Sequence, residues 1–181
     1  MDVVKLVKRA KRGNKEALLQ LIMSEKNIYY RLAYSYTGNK DDALDAMEDM
    51  IVILYEKIHQ LQKEESFYSW SKSILVNCCK SLLQKRNRMV LLEDINSVEQ
   101  YELSHQQVDN PYHKSEQQMD IQSLLLHINE YQREAIQLKY FHDLDNQTIA
   151  NMTNVSLGTV KSRIFEGLKR LRSQLRGDVN E

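Results

Sequence analysis

Residues 145–175 read DNQTIANMTNVSLGTVKSRIFEGLKRLRSQL, and their spacing decides what kind of fold this part of the chain can adopt. Ile149 and Met152 recur on one helical face, and Ala150 is small where a second helix must approach closely. Asn154 stands at the turn, a position that demands positive φ, and after Gly it is the most tolerant residue there. Ser156 is a good N-cap for the helix that follows. Val160 and Ile164 return to the core at i, i+4, leaving Thr159, Lys161, Ser162, Arg163, Phe165 and Glu166 on the outer surface. The pattern predicts a helix-turn-helix. Its second helix would reach base edges in a major groove with its first turns and hold phosphates with its basic side chains.

Working outward, the composition fits that reading. The chain has 181 residues, 42% hydrophobic and 28% charged, with only five Gly and one Pro, too few turn residues for a β protein. No run approaches the roughly 20 apolar residues of a membrane span. The N-terminal MDVVKLVKRAKRG lacks the apolar core and cleavage site of a signal peptide, which points to a cytoplasmic protein. Cys78 and Cys79 are the only cysteines; adjacent in sequence, they are not expected to bridge, and they are too few for a thiolate zinc site. The five histidines lack ligand spacing, so no metal and no cofactor is expected.

Lys plus Arg and Asp plus Glu both total 25, yet the zero net charge hides segregation. Residues 1–90 carry 16 basic and 11 acidic side chains, residues 91–120 one and seven, and residues 121–181 eight and seven. Lys72 to Arg88 holds five bases and no acid; Ser156 to Arg176 holds six bases against Glu166 alone. Hydrophobic periodicity lapses from about Asn87 to Met119, around Pro111. The expected organisation is therefore all-α: two small helical domains, residues 1–86 and 120–176, joined by an acidic linker over residues 87–119. A flexible linker of that length has an r.m.s. span of about 30 Å.

In the first domain, Thr37-Gly38-Asn39 is a turn signal, and the helix after it aligns Ala43, Met47, Met50, Leu54, Ile58 and Leu61 in one apolar stripe. Asp42, Asp45, Glu48 and Asp49 fall largely elsewhere. Such acids suit either a solvated face near a helix N-terminus or a docking face for a basic partner. After the polar break Gln62–Ser66 come Phe67, Tyr68 and Trp70, then Ile74, Leu75, Leu82 and Leu83 on a helix whose other face is basic. Aromatics beside bases can bind single-stranded nucleic acid, or the aromatics can simply be core.

These residues resemble the extracytoplasmic-function (ECF) group of bacterial RNA polymerase sigma factors, whose members keep two domains. Asp42-Ala43-Leu44-Asp45-Ala46-Met47-Glu48-Asp49 is similar to the family's Asp-Ala-Glu-Asp-Leu-Val-Gln-Glu stretch of region 2.2. Ser66-Phe67-Tyr68-Ser69-Trp70, with Ile74 and Asn77, resembles the Ser-Phe-x-x-Trp-Leu-Tyr-x-Ile-Ala-x-Asn signature of regions 2.3 and 2.4. Gln132-Arg133-Glu134-Ala135 resembles the opening of region 4.1, and Gly158-Thr159-Val160-Lys161-Ser162-Arg163 matches the region 4 recognition helix. Glu48 replaces the usual Gln, Ser71-Lys72-Ser73 replaces a more hydrophobic run, and Thr153 stands where Leu is usual.

The resemblance implies a region 2 helical bundle and a region 4 helix-turn-helix that bind core RNA polymerase, at the β′ coiled coil and the β flap, and promoter DNA. Asp42, Asp45, Glu48 and Asp49 would dock on the polymerase. Phe67, Tyr68, Trp70, Asn77, Lys80, Lys85, Arg86 and Arg88 would bind and melt the −10 element, with the Gln62–Ser66 loop shaping a flipped-base pocket. Thr159, Lys161, Ser162, Arg163 and Phe165 would face the −35 element. An anti-sigma factor is implied as a further partner; catalysis, a small-molecule substrate and membrane insertion are not. The competing reading is a LuxR-like regulator that binds duplex DNA without binding core polymerase.

Overall fold

The computed structural model describes residues 2–93 and 124–177, and within them every regular element is helical. The chain divides into two compact units, residues 1–108 and 109–181. The first holds α1 (Val3–Lys11), α2 (Lys15–Ser24), α3 (Lys26–Thr37), α4 (Lys40–Lys57) and α5 (Phe67–Glu93). The second holds α6 (Glu130–Ile136), α7 (Asn146–Thr153) and α8 (Leu157–Gly177).

Local chemistry sets the helix ends of the first unit. Asp2, Asn14 and Asn39 cap α1, α2 and α4 by accepting from the N–H of Lys5, Ala17 and Asp42. Gly38 ends α3 in the left-handed region at φ 74°, its N–H on the Tyr34 carbonyl at 2.9 Å, as the Thr37-Gly38-Asn39 signal predicts. The stripe expected on α4 is buried from Ala43 through Leu61. It packs with Val7, Leu21, Leu32, Leu75 and Val76 in a core where truncating one Leu to Ala costs about 2–5 kcal/mol. Cys78 and Cys79 are free and buried, and burial pushes the Cys79 thiol up to about 12. The break after α4 is a pair of 3-10 turns, Ile58–Gln60 and Glu64–Ser66. Helix α5 continues to Glu93, past the domain end expected at residue 86. Residues 84–92 hold no Gly or Pro, and good helix formers carry the backbone on where side-chain periodicity has lapsed. The rest of the expected linker lies outside the described residues.

In the second unit Asn129 caps α6, which runs into a π-turn at Gln137–Phe141. Asp145 caps α7, accepting from Thr148 N–H at 2.9 Å and Thr148 Oγ1 at 2.6 Å. Asn154 takes the left-handed turn at φ 53°, ψ 46°. Ser156 Oγ accepts from Thr159 N–H at 3.0 Å to start α8. Ile149, Ala150, Met152, Val160 and Ile164 are buried, so the helix-turn-helix read from residues 145–175 is the one present. Gly167 has a further role: a Cβ there would lie 2.7 Å from Ile136 Cδ1 and 3.2 Å from Gln132 Cβ. It lets α8 approach α6.

Candidate functional site

Three surfaces carry the residues singled out in the sequence. On α4, Asp45, Glu48 and Asp49 are exposed beside Leu44, Ile51, Val52 and Tyr55. The face is therefore acidic and apolar together, which suits a protein partner better than a purely solvated surface. The exposed apolar residues were not singled out, although their helical spacing places them off the core stripe. Asp42 is different. It is half-buried, accepts from Asn39 Nδ2 at 2.6 Å, and pairs with Arg86 Nη1 at 2.8 Å. The structure thus joins one expected docking acid to one expected phosphate-binding base.

On α5, Phe67 is fully buried. This corrects its place among the DNA-contacting aromatics: a ring with no accessible face cannot stack on a base. It instead underlies the other two, with centroids 5.3 Å from Tyr68, edge-on, and 6.4 Å from Trp70. Tyr68 and Trp70 are half-buried, and the Tyr68 hydroxyl is 2.8 Å from Ser24 Oγ. At 100° per residue, Trp70, Asn77, Lys80, Lys85 and Arg88 fall within an arc of about 140°, while Tyr68 and Arg86 fall on the other side. Asn77, Lys85 and Arg88 are exposed, and the half-buried Lys80 has its ammonium 5.7 Å from the Tyr36 ring centroid. The result is a polar, basic stripe headed by one tryptophan. Arg86, turned toward α4, is not brought into it. The turn before α5 is held by Lys11, whose Nζ donates to the Leu61 carbonyl at 2.8 Å and Glu64 Oε1 at 3.1 Å. That bond holds the Glu64 carboxyl below its ordinary value.

On α8, Lys161, Ser162 and Phe165 are exposed, the phenylalanine by 65%. Thr159 is half-buried, its hydroxyl 2.8 Å from Ser156 Oγ. Arg163 lies with its guanidinium carbon 4.7 Å from the Tyr131 ring centroid. The two line an open groove of about 430 Å³ between the start of α6, at Asn129 and Gln132, and α8, at Thr159 and Ser162. Tyr131 was not singled out; an aromatic in an otherwise polar first turn was the available signal. An Arg on an aromatic face is attracted by the ring quadrupole, which restrains its guanidinium. Among the described residues no cluster of His, Cys, Asp and Glu could hold a metal ion, and no helix is long and apolar enough to cross a membrane.

Two family descriptions match. Residues 21–89 match Sigma-70 region 2, and residues 118–171 match Sigma-70, region 4. The RNA polymerase sigma factor SigV of Bacillus subtilis (strain 168) is 29% identical over 167 residues, 92% of this chain and 96% of that protein. The ECF RNA polymerase sigma factor SigW of the same organism is 27% identical over 183 residues, 97% of this chain and 98% of that protein. Among solved structures, the sigma factor RpoE in complex with the anti-sigma factor NepR from Bartonella quintana is 25% identical. It has a TM-score of 0.64 and covers 87% of this chain and 95% of that one. CnrH in complex with the cytosolic domain of CnrY shares the fold at a TM-score of 0.66 and 20% identity, covering 97% and 98% of the two chains.

Proposed function

The chain belongs to the sigma-70 family of RNA polymerase sigma factors, in its ECF group, and we infer that it binds core polymerase and directs it to promoters carrying separated −35 and −10 elements. It is not an enzyme; its work is binding and strand separation. The observation that carries this reading is the order of the two matched regions, each with an exposed face suited to its task. A duplex-binding regulator of the LuxR sort accounts for α6–α8 and leaves the region 2 match over residues 21–89 without a role.

Asp45, Glu48 and Asp49, with the apolar residues between them, form the face for the polymerase β′ coiled coil; Asp42 supports that face through Asn39 and Arg86. Trp70 and the stripe Asn77, Lys80, Lys85 and Arg88 take the opened −10 strand, the bases on its phosphates and the ring against an unstacked base. Tyr68 flanks the tryptophan. Thr159, Lys161, Ser162, Arg163 and Phe165 face the −35 major groove. The second unit also meets the β flap, and an anti-sigma factor binds the chain, as one does in the RpoE relative. The protein acts in the cytoplasm, where the polymerase is.

Run-off transcription from fragmented genomic DNA, with sigma-free core polymerase, tests this reading. Discrete transcripts that require the chain and share two spaced upstream motifs are expected. Their absence, with core that responds to another sigma factor, would refute it.

A further inference from the structure

The first turns of α5 are gripped from behind by polar side chains, an arrangement that burial alone does not call for. Lys72 and Ser71 are buried, at 8% and 0% exposure. Lys72 Nζ lies 3.0 Å from Glu25 Oε2, at the α2–α3 junction, with both side chains largely out of solvent. That oxygen has no aligned hydrogen bond, so the contact is Coulombic. Ser71 Oγ donates to the Tyr68 carbonyl at 3.1 Å. Its single proton is then committed, so the fully buried Tyr29 hydroxyl, 2.7 Å away, must be the donor to Ser71 Oγ. Burial pushes the Tyr29 phenol up, which keeps that proton in place. One residue earlier than Glu25, Ser24 holds the Tyr68 hydroxyl at 2.8 Å.

Apolar side chains of similar volume would fill this space at less desolvation cost, since buried charges and hydroxyls are rarely stabilising against an apolar replacement. What the polar contacts add is a fixed geometry: the Tyr29–Ser71 hydrogen bond is directional, and the Lys72–Glu25 ion pair ties that side of α5 to the α2–α3 junction. Trp70 lies between the gripped residues in sequence, and Lys72 is about 200° from it around the helix. A roll of α5 by about 10° would carry a side chain some 6 Å from the axis through about 1 Å. Phe67 packs on rings of its own helix and resists such a roll weakly. The Tyr29 bond to Ser71, on the flank of α5, and the ion pair of Lys72, on its far side, tie the helix to α2 and α3 and resist it directly.

We propose that Glu25, Tyr29, Ser71 and Lys72 form a polar clasp that sets the rotation of α5 and so positions Trp70 for promoter opening. The four are positioning residues that touch no DNA. The proposal rests on the strand-opening reading of Trp70, and the experiment separates the two. Holoenzymes carrying Glu25→Gln with Lys72→Met, Tyr29→Phe with Ser71→Ala, or Trp70→Ala are compared on the promoter found by run-off. Each clasp pair is removed as a pair, so that no charge or hydroxyl is left buried alone.

Both clasp variants are expected to keep their helical circular dichroism, bind core and form closed complexes within about twofold of the parent. Permanganate reactivity at the −10 thymines should nevertheless develop about tenfold more slowly, as it should for Trp70→Ala, a loss of about 1.4 kcal/mol. A template with a pre-opened −10 segment should restore initiation by the clasp variants, which a general packing defect would not allow. Clasp variants that open at the parental rate while Trp70→Ala is slow would overturn the clasp and leave the Trp70 reading standing. Parental opening by Trp70→Ala would refute that reading itself. Loss of helical signal in both clasp variants would also overturn the proposal, since the contacts would then hold the fold and not the tryptophan.

Discussion

Replacing Tyr131 by Leu should weaken −35 binding through Arg163 and through nothing else. The guanidinium carbon of Arg163 lies 4.7 Å from the ring centroid, and Tyr131 is 61% exposed, so the exposed-site strength of a cation–π contact applies, about 0.5–1 kcal/mol. Loss of that contact lets the arginine sample other rotamers, which predicts about a two- to fivefold weaker complex. Arg163→Ala removes the contact with DNA as well and should cost more, about 1–3 kcal/mol if it reads a base. The assay is fluorescence anisotropy of a −35 duplex with holoenzyme, run as a double-mutant cycle. Tyr131→Phe keeps the ring and should bind as the parent does. In the Arg163→Ala background, Tyr131→Leu should have no further effect. The salt slope should fall by about one for Arg163→Ala if it holds a phosphate and stay unchanged for Tyr131→Leu. Equal losses from Tyr131→Leu in both backgrounds would refute the reasoning, because the tyrosine would then act on DNA or on the fold directly.

Asp45→Arg with Asp49→Arg should lower core affinity by at least about a hundredfold, since each reversal turns an attraction of about 1 kcal/mol into a repulsion; both are exposed, so helical content should not change, and co-purification with core measures the loss. Gly167→Ala gains about 1 kcal/mol of helix propensity but must push a methyl against Ile136 and Gln132, an overpacking cost of about 1–3 kcal/mol. Denaturation of the second unit should show a net loss, while Gly158→Ala, with no neighbour closer than 3.6 Å, should not. For Asp145, partial burial raises the carboxyl, but the bonds from Thr148 outweigh it and hold it below its ordinary value. Its contribution as a cap, about 1 kcal/mol, should therefore be complete at neutral pH and begin to fall below about pH 4, where the unfolded carboxyl titrates. It should be gone only once the pH has dropped through the lowered folded value. Urea titrations of Asp145→Ala against the parent at both ends of that range measure the difference.

What could be read without coordinates was what depends on near neighbours in sequence. Asn154 needs positive φ because the chain reverses within two residues, and Ser156 caps because Thr159 N–H is three residues on. The α4 stripe, Ala43, Met47, Met50 and Leu54, repeats over about three turns, so no single substitution obscures it. Contacts between helices were out of reach. Asp42 and Arg86 are 44 residues apart, and neither composition nor spacing pairs them. Arg163 and Tyr131 lie in different helices, and the need for Gly167 arises only where α8 meets α6. Phe67 is fully buried while Tyr68 and Trp70 are half-buried, and residue type does not separate the three.

Helix α5 shows why a functional helix is the hardest to read. A purely structural helix separates apolar from polar residues, and its periodicity announces the buried face. Here Ser71 and Lys72 lie buried, while Trp70 keeps part of its ring in solvent. Each placement runs against residue type, and together they flatten the amphipathic signal over the first turns. The later turns separate more cleanly: Leu75, Val76, Cys78 and Cys79 are buried, and Asn77, Lys85 and Arg88 are exposed. The disorder of pattern is thus confined to the segment around the tryptophan. Local disagreement with the hydrophobic code marks positions where something other than burial determines the residue. In α5 those positions are the clasp and the ring it orients.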